Sequence, residues 1–263
     1  DELVAAGVDH IKITVADTPD GAPVFDAATI RAITAEAHAK GKRVMAHIDT
    51  AQNARLAADN GVDGLVHGVH STVLSDDDAQ DIASHHVTVA PTLITFERLY
   101  ELSTSTVQLS PIERQSVAAN LQRSLRRIPK GYVLDADLAS WLTHLSKYRN
   151  ERLHDNVKKL YDRGVHILVG TDGHGSTAAF PGAIHEEMRR LVEAGVPNAD
   201  VLLGATAYAA HESLASPSFG TIEVGKDADL LLVDGDPLVD ITATTRIDTV
   251  VARGRIVNRI PPP

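Results

Sequence analysis

Cysteine is absent from the 263 residues, which removes disulfides, thiolate nucleophiles and thiolate metal sites together. Any metal the chain holds must be bound through nitrogen and oxygen. Basic residues are in deficit: 25 Lys and Arg against 35 Asp and Glu give a net charge of −10, with no cluster that would track phosphates. Nucleic acid and anionic membranes are thereby poor partners, and a small-molecule or peptide-like substrate is the better expectation. No apolar run reaches the roughly 18 residues of a membrane span, and no signal peptide opens the chain. The cytoplasm is the favoured compartment, and nothing speaks against a homo-oligomer. The first residue is Asp1 rather than Met, ahead of a strand-like segment, so the natural N-terminus is expected to lie upstream.

What the chain does have is rhythm. Short apolar strands alternate with amphipathic helices over the first two-thirds, the pattern of a parallel sheet. Strands are expected at His10–Ala16, Arg43–His47, Gly64–His67, Val87–Pro91 and His166–Gly170. Asp26 is a plausible N-cap for a helix turning Ile30, Ile33 and Ala37 inward, with Gly41 as its stop. A second helix spans about 51 to 59, and Ser75 with Asp78 reads as a capping box for a third. Residues 93 to 163 break the beat with a polar, helix-prone stretch bent near Pro111 and Pro129–Gly131, which reads as an insertion. Helices resume at about 183 to 194 and 198 to 210. From Phe219 the chain becomes glycine-punctuated, with hairpin strands expected within 220 to 234 and 247 to 257.

Five strand–helix units cannot close a barrel that needs eight, and isolated hairpins leave unpaired edges. The expected architecture is therefore α/β: residues 1–215 as strands four to eight of a (β/α)8 TIM-type barrel, and 216–263 as part of a small β-sandwich domain. About three further strands would precede Asp1.

In such barrels the side chains at the C-terminal strand ends converge on one face. Those positions hold Lys12, His47, His67 with His70 just beyond, and Asp172. Imidazoles and a carboxylate meeting there suit a borderline cation such as zinc, one or two ions. Most of the 13 histidines have duller explanations: His38 is mid-helix, His85 and His86 close a helix, His144 and His154 lie in the insertion, and His166 is at the wrong strand end. Asp172, inside Val169–Gly173, also suits a turn. Lys12 on an apolar strand is expected to be buried, which would lower its pKa and let the neutral amine act as a base, form a Schiff base or take up carbon dioxide as a carbamate.

The order Lys12, His47, His67, Asp172 resembles the amidohydrolase superfamily, in particular its imidazolonepropionase- and prolidase-related branch. Met45–Asp49, Gly61–Gly68, Gly170–Gly173, His185–Met188, Gly220–Leu230 and Asp234–Leu238 carry the resemblance. It implies that Lys12 is a carboxylated lysine bridging a binuclear metal centre, that His47 and His67 bind the second metal, and that Asp172 ligates the first and shuttles a proton. His70 is the less favoured ligand. The implied chemistry is hydrolysis of an amide, cyclic amide or related C–N or ester bond by metal-activated water. Two departures matter. The family's His-x-His pair, which completes the first metal site, occurs nowhere in the sequence, and Asp49 stands where prolidase-like relatives place a carboxylate-binding tyrosine. Two other readings therefore remain open: a non-catalytic fragment or subunit needing a separate N-terminal half, and a Schiff-base aldolase using Lys12. The substrate itself does not read out from the sequence.

Overall fold

A computed structural model describes residues 2–17, 23–127, 150–173, 179–213 and 217–258. A one-turn helix α1 (Glu2–Ala5) precedes the first strand, a feature the sequence reading did not anticipate. Four parallel strands follow in chain order: β1 (His10–Val15), β2 (Arg43–Ile48), β3 (Gly64–Val66) and β4 (Thr88–Ala90). Helices α2 (Ala27–Ala39), α3 (Ala51–Asp59) and α4 (Asp76–Ser84) connect them. The fifth expected strand reduces to one parallel bridge, Val89 with Ile167, flanked by hydrogen bonds from Val89 N to His166 O and from Leu168 N to Val89 O.

The caps explain where helices begin. Asp26 and Thr50 each accept a backbone N–H three residues on, at Thr29 and Asn53, as good N-caps do. Ser75 accepts from Asp78 N, and the Asp78 carboxylate in turn takes the Ser75 hydroxyl. A complete box occurs at Ser110 and Glu113, where each side chain accepts the other's backbone N–H.

The strands have two distinct faces. Ile13, Val15, Val44, Ala46, Ile48, Leu65 and Val89 are buried in one cluster with Ile30, Ala54, Ala57, Ile82, Leu160 and Leu191 from the helices. The intervening positions turn the other way: Lys12 and Thr14 are exposed, Met45 and His47 half-buried. Strand alternation thus separates a helix-packed face from one that carries Lys12 and His47.

Residues 93–127 and 150–163 form α5 (Leu93–Thr104), α6 (Pro111–Ser116), α7 (Ala119–Leu125) and α8 (Asn150–Tyr161); the expected bend at Pro129–Gly131 lies outside the described residues. α8 is no surface appendage: Leu153, Val157 and Leu160 enter the main core, and Asn156 donates to Val69 O and Thr72 O while accepting from Leu74 N. α9 (Ala183–Glu193) agrees with expectation, but the helix expected over 198–210 divides at Thr206 into α10 (Asn198–Ala205) and α11 (Ala207–Ser213). Beyond residue 217 an antiparallel sheet runs β5 (Leu230–Val233), β6 (Ile247–Ala252) and β7 (Arg255–Ile256). Residues 247–257 fold as a hairpin whose Arg253–Gly254 turn has both residues at positive φ. In 220–234 only the last residues pair.

Gly204 of α10 sits against the segment that leads to Asp172. A β-carbon there would overlap the Ile167 carbonyl oxygen, and Val169 N donates to Gly204 O. Gly204→Ala is expected to destabilise the chain by about 1–3 kcal/mol in chemical denaturation, because backbone rather than a flexible side chain must yield. An unchanged denaturation midpoint would mean α10 does not seat here.

Candidate metal centre at the strand ends

β1 and β2 pair so that Lys12 lies beside Met45 and Thr14 beside His47, and His47 in turn lies beside Val66 of β3. His67 follows directly, outside the strand, at φ 69°. Its main chain is nonetheless held, because His67 N and Gly68 N donate to Ala90 O and Pro91 O, extending the β3–β4 ladder. The result is that His47 and His67 meet edge to face, ring centroids 4.3 Å apart.

The orientation of each ring follows from its partners. His67 is buried, and its Nδ1 lies 2.8 Å from Thr92 Oγ1. Buried His70 donates Nδ1–H to Gly68 O at 3.0 Å, since a carbonyl can only accept, and packs against Phe96 at 4.3 Å. Neither ring nitrogen of His47 has a hydrogen-bond partner among the described residues. Burial, then the neighbouring His47, Lys12 and His70, press the His67 pKa down to about 3, so the ring is neutral. The His47 pKa is also lowered, by burial first and Lys12 next, against Asp49 and Asp172 which raise it. Lys12 and Asp172 therefore lie within electrostatic reach of His47. Asp172, an exposed residue in the segment after Ile167, stands at φ 44°, a left-handed turn conformation that aspartate tolerates.

The burial expected for Lys12 is corrected: the residue is exposed, on the strand face turned away from the helices. The convergence is also looser than a closed ligand set. Among the described residues, the one group of His, Asp and Glu whose ligand atoms come within 4.8 Å of one another is Asp59, Asp81 and His85, away from these strand ends on α3 and α4. Arg55 already occupies the Asp81 carboxylate and His85 pairs with Asp59 at 3.0 Å, so that surface cluster is ion-paired. The duller readings of other histidines are consistent with their surroundings: His38 pairs with Asp63 at 2.8 Å, and His166 stacks on Tyr208 at 4.1 Å.

Several residues that position the site escaped sequence reading. Asp49 is buried, and its carboxylate accepts from Asp17 N, Thr50 N and Asn53 Nδ2 at 3.2, 2.7 and 2.8 Å. Its main-chain oxygen accepts from His70 N and Ser71 N. The residue two beyond His47 thus ties the ends of β1 and β2, the start of α3 and the His70 loop together. Thr92 and Thr95, in the first turn of α5, contact His67 Nδ1 and Thr171 O. Their only sequence signal is a threonine pair just past a strand end.

In the metal-free chain, a ring neutral down to about 3 that titrates near 6.5 when unfolded binds its proton only in the unfolded state between those values. Stability is thus intact above about pH 6.5 and falls as pH drops towards 3. From pH 6.5 to 5 this group alone accounts for about 2 kcal/mol. Urea titrations in chelator at pH 7 and pH 5 are expected to show His67→Gln losing that much less than the parent; equal losses would remove His67 as the titrating group.

The amidohydrolase family profile matches residues 2–257. Imidazolonepropionase of Brevibacillus brevis is 31% identical over 108 residues, covering 39% of this chain and 25% of that enzyme. An uncharacterized Mycobacterium tuberculosis protein is 27% identical over 236 residues, covering 90% of this chain and 53% of its own length. A crystal structure of a prolidase complexed with N-methylphosphonate-L-proline superposes with a TM-score of 0.75 at 24% identity, over 98% of this chain and 57% of that one. A Xaa-Pro dipeptidase with bound methionine gives 0.75 at 24%, over 97% and 56%. The chain spans a quarter to somewhat over half the length of these proteins, and the structural likeness establishes an α/β barrel-type fold. Taken with the parallel sheet and its flanking helices, the profile match over residues 2–257 places this chain in the amidohydrolase family.

Proposed function

We propose that the chain contributes the strand-four to strand-eight half of a metal-dependent hydrolase acting on an amide, cyclic amide or related C–N or ester bond. The observation that carries this reading is the contact between His47 and His67 at adjacent strand ends, with Lys12 and Asp172 in electrostatic reach. The donor set fits a divalent cation. The His67 ring is neutral, its Nδ1 is engaged by Thr92, leaving Nε2 to ligate, and His47 has both nitrogens unengaged among the described residues. His47, His67, Asp172 and Lys12, the last as a carbamate, would hold one or two ions, with zinc the best match to nitrogen and oxygen donors. The cation, when bound, supplies Lewis acidity that makes water a nucleophile at neutral pH.

The protein's own groups do the rest. Asp172 accepts a proton from the attacking water and returns it to the departing nitrogen or oxygen. The Thr92 contact keeps the His67 ring from turning, and the Thr171 carbonyl, held by Thr95, fixes the loop bearing Asp172. Asp49 spends its carboxylate on the scaffold, so recognition of a dipeptide carboxylate at that position is not part of the reading. Small-molecule and peptide-like amides remain the substrate class.

A second reading has specific support: the 263 residues contain no His-x-His pair, and His47, His67 and Asp172 are not mutually within 4.8 Å. On that reading the chain alone is a non-catalytic part that requires a separate half. Metal content after zinc loading separates the first two: near two equivalents, lost in His47→Ala and His67→Ala, supports a hydrolase centre within this chain, whereas near zero supports the incomplete-part reading. For any substrate turned over, Asp172→Asn is expected to abolish hydrolysis with the far-ultraviolet circular dichroism unchanged; undiminished turnover would remove Asp172 from the mechanism.

A further inference from the structure

The first turn of α5 touches the site twice from behind. Thr92 Oγ1 is 2.8 Å from His67 Nδ1, and Thr95 Oγ1 donates to Thr171 O, next to Asp172. That turn is unusual in its own capping. Thr92 sits at φ 50° and makes no side-chain cap, so the early N–H groups of the helix need another acceptor. Glu187, from the middle of α9, supplies it: its two carboxylate oxygens accept Leu93 N at 2.9 Å and Ile94 N at 2.7 Å.

Glu187 is completely buried. Burial pushes its pKa up to about 7, against the two N–H donors and Arg190, which lower it. Arg190 does not neutralise it by direct pairing; its Nε bonds to Glu97 instead, tying α9 to α5 a second time. A carboxylate removed from water is destabilising unless its hydrogen bonds matter, and helix N-termini favour negative charge.

We propose that Glu187 is a positioning residue for the strand-end site. By gripping the first turn of α5 it holds Thr92 against His67, so that the Nδ1–H tautomer is selected and Nε2 faces the site, and it holds Thr95 against the segment bearing Asp172. The effect on metal affinity rests on the reading of His67 as a ligand; the effect on the tautomer does not.

The test uses long-range proton–nitrogen spectra of the histidine rings in the metal-free chain, with zinc affinity measured by chelator competition. Thr92→Val removes the contact and is expected to shift the His67 ring nitrogens towards a mixed tautomer. Glu187→Gln keeps the size of the side chain but presents an NH2 to one of the two N–H donors, and it is expected to shift the same signals in the same direction. The stacked His166 ring should be unaffected in both. Glu187→Asp, which keeps the charge and shortens the reach, is expected to give a smaller shift and serves if the glutamine variant does not fold. Zinc affinity should fall about 10- to 100-fold in Thr92→Val and Glu187→Gln, the range typical for loss of a hydrogen bond behind a ligand. Unmoved His67 signals in the folded Glu187 variants, with Thr92→Val shifted, would overturn the proposal. Shifted signals with unchanged zinc affinity would support the positioning role and overturn His67 as a ligand.

Discussion

The site depends on the parallel register that sets Thr14 beside His47 and His47 beside Val66. With a side-chain period of two, this pairing commits Ile13, Val44, Ala46 and Leu65 to the helix-packed core and leaves Lys12 and His47 on the opposite face. A slip of one residue would bury the lysine and imidazole among leucines and isoleucines while turning the core side chains to water. The hydrophobic effect that packs α2, α3 and α4 onto the sheet is therefore also what aims the polar groups. Folding and site geometry are one constraint.

Much of this was legible in the chain. Apolar segments ending in His47 and near His67 marked strands, because a short apolar run between helices has few other uses. Asp26 and Ser75 marked helix starts for the local reason that their oxygens satisfy orphan N–H groups. The family resemblance seen in the sequence agrees with the match over residues 2–257.

What stayed hidden depends on distance in the chain. The Glu187 contacts span 94 and 93 residues, and the Asn156 contacts span more than 80, so no local pattern announces them. Lys12 looked buried because its neighbours are apolar, yet alternation puts it on the open face. The division at Thr206 turned on the backbone angles of that single residue, which propensity does not resolve. Asp49 was noticed only as a departure from relatives; its scaffold role emerges from five hydrogen bonds to partners both near and remote in sequence.

Arg98 and Glu113 form a fully desolvated ion pair, doubly bonded through Arg98 Nη2 at 3.0 and 2.8 Å, that locks α5 to α6. Breaking such a pair from one side typically costs about 3–5 kcal/mol. The helix whose first turn steadies His67 is thus rigidly joined, farther along, to the segment where the barrel rhythm lapses. Sequence drift in that segment cannot proceed independently of the strand-end groups. A lineage changing what it recognises there would have to keep the arginine and glutamate in step, or accept a shift of the histidine at the other end of the same rod.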